Sequence, residues 1–248
     1  MSPSLNILSL TKVYPNTSIA AVDNIDLQIN KGEFFGLLGP NGAGKTTTIS
    51  MLCSLLEPTS GNISIGGLEI SGNIDKVRKL IGVVPQDIAL FPQLTATENL
   101  KFFGRMYGMR ASILNNRIDE LLDIFGLKQK KNQLVETYSG GMKRRLNLIA
   151  GILHTPDILF LDEPTVGIDV QSRNVIMEYL TSLKNDGMTL VYTSHHMEEA
   201  EKFCSSIAII DMGKIICIGN PKKLINEHIN CSSLEDIFLE KTGKRLRD

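Results

Sequence analysis

One stretch limits the folds open to this chain more than any other. The apolar run 34-FFGLL-38 leads into 39-GPNGAGKTTTIS-50, which holds three glycines, a lysine and three threonines. Gly39, Gly44, Lys45 and Thr46 satisfy the pattern G-x-x-x-x-G-K-[ST], set between a predicted strand and a predicted helix as that pattern requires. Glycines let successive backbone N–H groups curl around phosphate oxygens, and a helix N-terminus adds positive potential. Lys45 then reaches the outer phosphates, and the Thr46 hydroxyl is placed to sit on magnesium. The cradle is read as Gly39, Pro40, Asn41, Gly42, Ala43, Gly44, Lys45, Thr46 and Thr47. Lys45 is expected to face solvent when no ligand is bound.

The rest of the chain fits an α/β protein. Strands are predicted at 5–14, 20–29, 33–38 and 62–70, with a helix from Lys45 to Leu56 opened by the glycine loop and stopped at Glu57-Pro58. From about Thr95 to Leu153 helical patterns dominate; Leu114, Ile118, Leu121, Leu122 and Phe125 fall on one helical face. Strands and helices then alternate: 158-ILFLD-162, a helix near Ser172 to Asn185, 189-TLVYTS-194, a helix around Met197 to Phe203, then 207-IAIID-211 and 214-KIICIG-219. Such alternation implies a mainly parallel sheet covered by helices. The helical middle reads as an insertion of about 87–155, and a helical tail is expected over about 221–248. Within it, the stretch from Ser233 starts with a serine cap and an acidic first turn and ends in the basic run KRLR, which matches a helix macrodipole. All 248 residues are read as one domain.

Composition removes several classes. Twenty-six basic against 27 acidic side chains leave a net charge of −1, so nothing in the bulk charge favours nucleic acid. Cys53, Cys204, Cys217 and Cys231 lack the spacing of a zinc site or redox pair and read as small apolar residues in a reducing compartment. No segment approaches the roughly 20 apolar residues that cross a bilayer, and the N-terminus does not resemble a signal peptide. The chain is expected to be soluble by itself.

The strand 158-ILFL-161 ends in Asp162 and Glu163, two carboxylates at the edge where open α/β sheets bind ligands. Beside a phosphate loop, Asp162 suits magnesium and Glu163 suits activation of water.

What accompanies the loop narrows the reaction class. The stretch 138-YSGGMKRR-145 resembles the signature motif of ATP-binding cassette (ABC) proteins, and it precedes the acidic strand by that family's interval. The same Ser139-Gly140-Gly141 also reads as a cap for the helix that follows, and the two readings coexist. The resemblance, which extends along nearly the whole chain, implies a P-loop NTPase with a mainly parallel core, an N-terminal antiparallel β subdomain and an inserted helical subdomain. It implies that ATP and Mg²⁺ are bound and that Ser139, Gly140 and Gly141 complete the γ-phosphate pocket of a second ATPase subunit, identical or paralogous. Gln86 in 83-VVPQD-87 is similar to the Q-loop glutamine, which meets magnesium and water. Tyr14 resembles the aromatic that stacks on adenine, although it also suits the end of a core strand. Asp169 resembles the D-loop aspartate. Of the two histidines in 191-VYTSHHMEEAE-201, the spacing favours His195 over His196 as the switch residue.

The signature departs from its usual form, with Tyr138 and Met142 where leucine and glutamine are usual. Methionine followed by basic residues resembles the exporter-type branch, as do 94-LTATENLKFFGRMYG-108 and the closing stretch from Ser233 to Gly243. The implied function is the ATPase subunit of an exporter, held at the cytoplasmic face of the membrane by separate permease subunits that contact the span from Gln86 to about Tyr107. Glu98 stands out there as an exposed charge. A soluble ABC ATPase acting on ribosomes or DNA is the alternative; a P-loop kinase or GTPase leaves the signature and His195 unexplained.

Overall fold

The computed structural model describes residues 3–228 and 230–243; the KRLR run and the end of the expected tail lie outside the described residues. The chain opens with β1 (Leu5–Val13), β2 (Ala20–Ile29), β3 (Phe34–Leu38), α1 (Lys45–Leu52), β4 (Ser60–Ile65) and β5 (Leu68–Glu69). There follow α2 (Ile74–Leu80), β6 (Ile81–Val84), α3 (Ala96–Met106), α4 (Ala111–Ile124), two short 3₁₀ turns, and α5 (Gly140–Ile152). Alternation resumes with β7 (Ile158–Asp162), α6 (Val170–Asn185), β8 (Thr189–Ser194), α7 (Met197–Phe203), β9 (Ser206–Asp211), β10 (Lys214–Gly219), α8 (Pro221–Glu227) and α9 (Leu234–Thr242).

Two sheets result. The larger has the order β10-β9-β3-β8-β7-β6; every pairing from β9 to β6 is parallel, and β10 is an antiparallel edge. Central strands β3, β7 and β8 are buried along their whole length, which is why their sequences are continuous apolar runs rather than alternating ones. Their period of two still sorts side chains between faces. Phe34, Leu38 and Tyr192 join a core with the later helices, whereas Phe35, Leu37 and Val191 join a core with α1 and the second sheet. Each fully buried Leu, Ile or Phe contributes about 1.5–3 kcal/mol.

The second sheet is antiparallel, in the order β2-β1-β4-β5. On β2, Ile25, Leu27 and Ile29 are buried while Asn24, Asp26 and Gln28 are exposed, the alternation of a sheet wetted on one face. Between β6 and β7, neighbours that place Ile81 opposite Ile158, the chain leaves to build α3, α4 and α5. On α4 and at its end, Leu114, Ile118, Leu121, Leu122 and Phe125 are all buried, as their spacing predicts.

Three expectations need correction. The helix opened by the loop ends at Leu52 and not Leu56, because Ser54 turns left-handed (φ 56°) and the Leu55 and Leu56 amides fold back onto the Ser50 carbonyl. The single strand over 62–70 is a hairpin, broken by Gly66 and Gly67, both at positive φ. The segment 74–84 holds a helix and a buried strand where neither was anticipated; β6 is only four residues long, too short for a clear period.

Candidate active site

The glycine loop joins β3 to α1 and is moulded by backbone from two other segments. A Cβ on Gly39 would lie 2.1 Å from the Ile210 carbonyl oxygen, and one on Gly44 would lie 2.4 Å from that of Ala21. Gly44, at φ 109°, is also the N-cap of α1, and among the described residues no side chain caps this helix. Its first amides therefore remain available to an anion. Gly42, at φ 78°, faces open space. These features fit a polyphosphate.

Lys45 corrects the expectation that it faces solvent. It is 5% exposed, with Nζ donating to the carbonyls of Gly39 (2.8 Å) and Pro40 (3.1 Å) and lying 3.4 Å from Glu163 Oε1. Burial lowers its pKa from 10.5, and the carboxylate of Glu163 opposes that shift. The ammonium is thus folded over the loop on weak carbonyl acceptors, which phosphate oxygens would replace with charged ones.

Glu163 is the hub. Its backbone sits at φ 46°, rare outside glycine, and its side chain is buried. Oε1 lies 3.3 Å from His195 Nδ1 as well as 3.4 Å from Lys45, while Oε2 accepts from Gln86 Nε2 at 3.4 Å. One cavity of about 240 Å³ is lined by Asn41 to Thr47 together with Ala21, Gln86 and Glu163. The sequence-predicted Gln86, His195 and Glu163 are therefore brought to the loop.

Thr193 escaped the sequence reading. Buried at the end of β8, its hydroxyl accepts the Glu163 amide (3.0 Å) and donates to Asp162 Oδ1 (2.5 Å), so that one group holds the Asp162 carboxylate and the Glu163 backbone. The sequence offered little signal, since Thr193 is one of several hydroxyl residues in 189-TLVYTS-194. Asp162, buried, and Thr46, exposed on the first turn of α1, supply hard oxygen ligands that suit Mg²⁺, and Gln86 lines the same cavity as Thr46. His196, the N-cap of α7, is exposed, its ring 4.0 Å from that of His195.

Tyr14 follows β1, 40% exposed, with its hydroxyl 3.3 Å from Thr47 Oγ1. It borders a cleft lined also by Ile19, Ala20, Gly42 and Met212. It is a surface ring and not a core residue.

Ser139, Gly140, Gly141 and Asp169 form a different group, none of which lines the cavity round Lys45. Ser139 caps α5 by accepting the Met142 amide (3.3 Å), and Asp169 caps α6 by accepting that of Ser172 (2.8 Å). The latter bond holds the Asp169 carboxyl below the usual carboxylate range. Gly141 seats one cap against the other: a Cβ there would meet Ser172 Oγ at 2.4 Å and Asp169 Oδ2 at 2.9 Å. Gly140 is exposed and faces open space.

Residues 22–166, from β2 through the carboxylate pair, match the ABC transporter family. The chain belongs to that family. This ABC protein is 50% identical to the linearmycin resistance ATP-binding protein LnrL of Bacillus subtilis, over 93% of its own length and 76% of that protein's. It is 42% identical to the Nod factor export ATP-binding protein I of Ralstonia nicotianae, over 94% and 72% of the two chains. Among solved structures, a dimeric ATP-binding cassette in a post-hydrolysis state, bound to ADP and Pi, superposes with a TM-score of 0.80. That likeness covers 87% of this chain and 98% of the other at 28% identity. The ABC protein binds and hydrolyses ATP as the ATPase subunit of a transporter, and its fold is the α/β cassette with an antiparallel N-terminal sheet. Among the described residues no helix is long and apolar enough to cross a membrane.

Proposed function

We propose that this ATPase drives an exporter, working as a head-to-tail pair of cassettes beneath separate membrane-spanning subunits at the cytoplasmic face. The observation that carries the catalytic part is the convergence of Lys45, His195 and Gln86 on the buried Glu163. A carboxylate so placed, beside a phosphate cradle, is the general base for an attacking water; His195 orients that water and the γ-phosphate. Lys45 moves from the carbonyls of Gly39 and Pro40 to the outer phosphates, and Tyr14 supplies a face for adenine. Asp162, Thr46 and Gln86 would hold Mg²⁺, which when bound draws negative charge from the transferring phosphoryl group.

The two-chain arrangement is supported by the exposure of Ser139 and Gly140 at the uncovered start of a helix, away from the cavity round Lys45. An amide-rich helix start of that kind suits the γ-phosphate of a second subunit, identical or paralogous. Export is supported by Met142 in the signature and by relatives named for resistance and for export. These relatives favour a transporter over a soluble ATPase of ribosomes or DNA. In this reading residues of about 87–155 form a helical lobe that faces the permease, and α8 and α9 a helical tail on the single cassette.

The test is phosphate release by the purified chain. Lys45→Ala should reduce it to background, because the outer phosphates lose their cation. Normal turnover in that variant contradicts the assignment.

A further inference from the structure

The signature helix carries a buried charge that the site above does not use. Arg144 on α5 is 8% exposed, and among the described residues no carboxylate lies within ion-pair distance of it. Its guanidinium instead donates to backbone: Nη1 to the carbonyls of Gln86 (2.5 Å) and Pro85 (3.4 Å), Nη2 to that of Val166 (3.4 Å). Burial lowers its pKa, and the negative charges of Asp87 and Glu163 work against that shift.

These carbonyls belong to the two segments that hold the catalytic carboxylate. Gln86 donates its side-chain amide to Glu163 Oε2, and the Val166 amide donates to the Glu163 carbonyl at 3.3 Å, closing the turn in which Glu163 takes its positive φ. Asn147, three residues further along α5, also holds the first segment, accepting the Ala89 amide and donating to the Pro85 carbonyl. A planar guanidinium with donors on two nitrogens spans both segments at once, which a single ammonium does less well.

We propose that Arg144 is a positioning residue for ATP hydrolysis, its guanidinium tying the Gln86 peptide to the 163–166 turn so that Gln86 stays registered on Glu163. Because α5 begins at Ser139 to Gly141, displacement of the signature also passes through Arg144 to the same chain's carboxylate. The inference rests on the catalytic roles given above to Gln86 and Glu163.

The experiment is a double-mutant cycle on the full chain, measuring kcat and KM for ATP and the melting temperature of wild type, Arg144→Met, Gln86→Ala and the double variant. Arg144→Met should lower kcat by about tenfold or more while KM moves by less than about threefold, and the double variant should be about as slow as the slower single one. Arg144→Lys, which keeps the charge and one donor group, should restore part of kcat and guards against loss of fold in the methionine variant. Losses that multiply, a kcat that follows only the folded fraction, or normal turnover in Arg144→Met would each overturn the inference. Multiplying losses leave the role of Gln86 standing. A fully active Gln86→Ala removes that role, and the inference with it.

Discussion

His195 places Nδ1 3.3 Å from Oε1 of Glu163, while His196, next in the chain, points to the surface ahead of α7. The two rings stay 4.0 Å apart, but β8 ends at Ser194 and the chain turns there so that His195 meets the carboxylate. His195→Ala should therefore slow hydrolysis by about an order of magnitude or more with ATP affinity kept, and His196→Ala should change either by less than about twofold. Steady-state kinetics with nucleotide-binding titrations check this; the reverse ranking would assign the switch to His196.

The two signature glycines should differ. Gly141→Ala drives a methyl group into Ser172 and Asp169, and overpacking of this kind costs about 1–3 kcal/mol. Gly140→Ala meets open space, so its melting temperature should stay within about 2 °C of wild type. Its hydrolysis should nonetheless fall, because the added methyl occupies the surface offered to a second subunit's nucleotide. Calorimetry and turnover on the same samples separate the two effects.

Contact with the permease can be tested on α3, at a position chosen for what it does not hold. Glu98 is exposed, as the sequence predicts, and it also closes a capping box: Oε2 accepts from the Thr95 amide and hydroxyl, each at 2.8 Å, and its own amide donates to Thr95 Oγ1. Reversing it would damage the helix start. Arg105 and Met106 are exposed further along, beside Phe102. Arg105→Glu should reduce export in vesicles with the permease more than it reduces hydrolysis by the isolated chain; equal loss in both assays would place the segment in the fold alone.

A half-buried histidine sets a pH dependence. His154 shares its Nε2 proton with the Ile81 carbonyl (2.9 Å), stacks on Tyr107 with ring centroids 3.5 Å apart, and leaves Nδ1 buried without a partner among the described residues. Burial lowers its pKa below 6.5. The unfolded chain then binds this proton more readily than the folded one, so stability is full above pH 6.5 and declines as pH falls toward the lowered value. Urea midpoints between about pH 7.5 and 5.5 should fall less steeply in His154→Phe than in wild type. Equal slopes would mean that His154 does not carry this dependence.

Much of the site was legible because its residues are fixed by local chemistry. The loop from Gly39 to Thr47 needs glycine where other backbone closes in, and Asp162 and Glu163 follow an apolar strand as metal and base groups commonly do. Less legible were residues whose work depends on contacts distant in sequence. Thr193 reaches Asp162 and Glu163 from a neighbouring strand, and Arg144 reaches Gln86 across 58 positions. Neither pattern has a spacing that sequence reasoning can search. The burial of Lys45 was misjudged for a related reason: a long side chain finds acceptors in its own loop, and periodicity says nothing about that. In the fold, β6 and the Gly66-Gly67 hairpin were missed because short elements carry little period, whereas the longer α4 was read correctly.

The central claim, an ATP site made by two chains and opened by Glu163, is tested most directly by sedimentation velocity. Glu163→Gln keeps the shape of the side chain and removes its basicity, so with ATP and Mg²⁺ it should sediment as a dimer and with ADP as a monomer. Adding Ser139→Arg, which fills the exposed signature surface, should leave it monomeric in both. Identical sedimentation of Glu163→Gln in ATP and ADP, or a dimer that survives Ser139→Arg, would contradict the account.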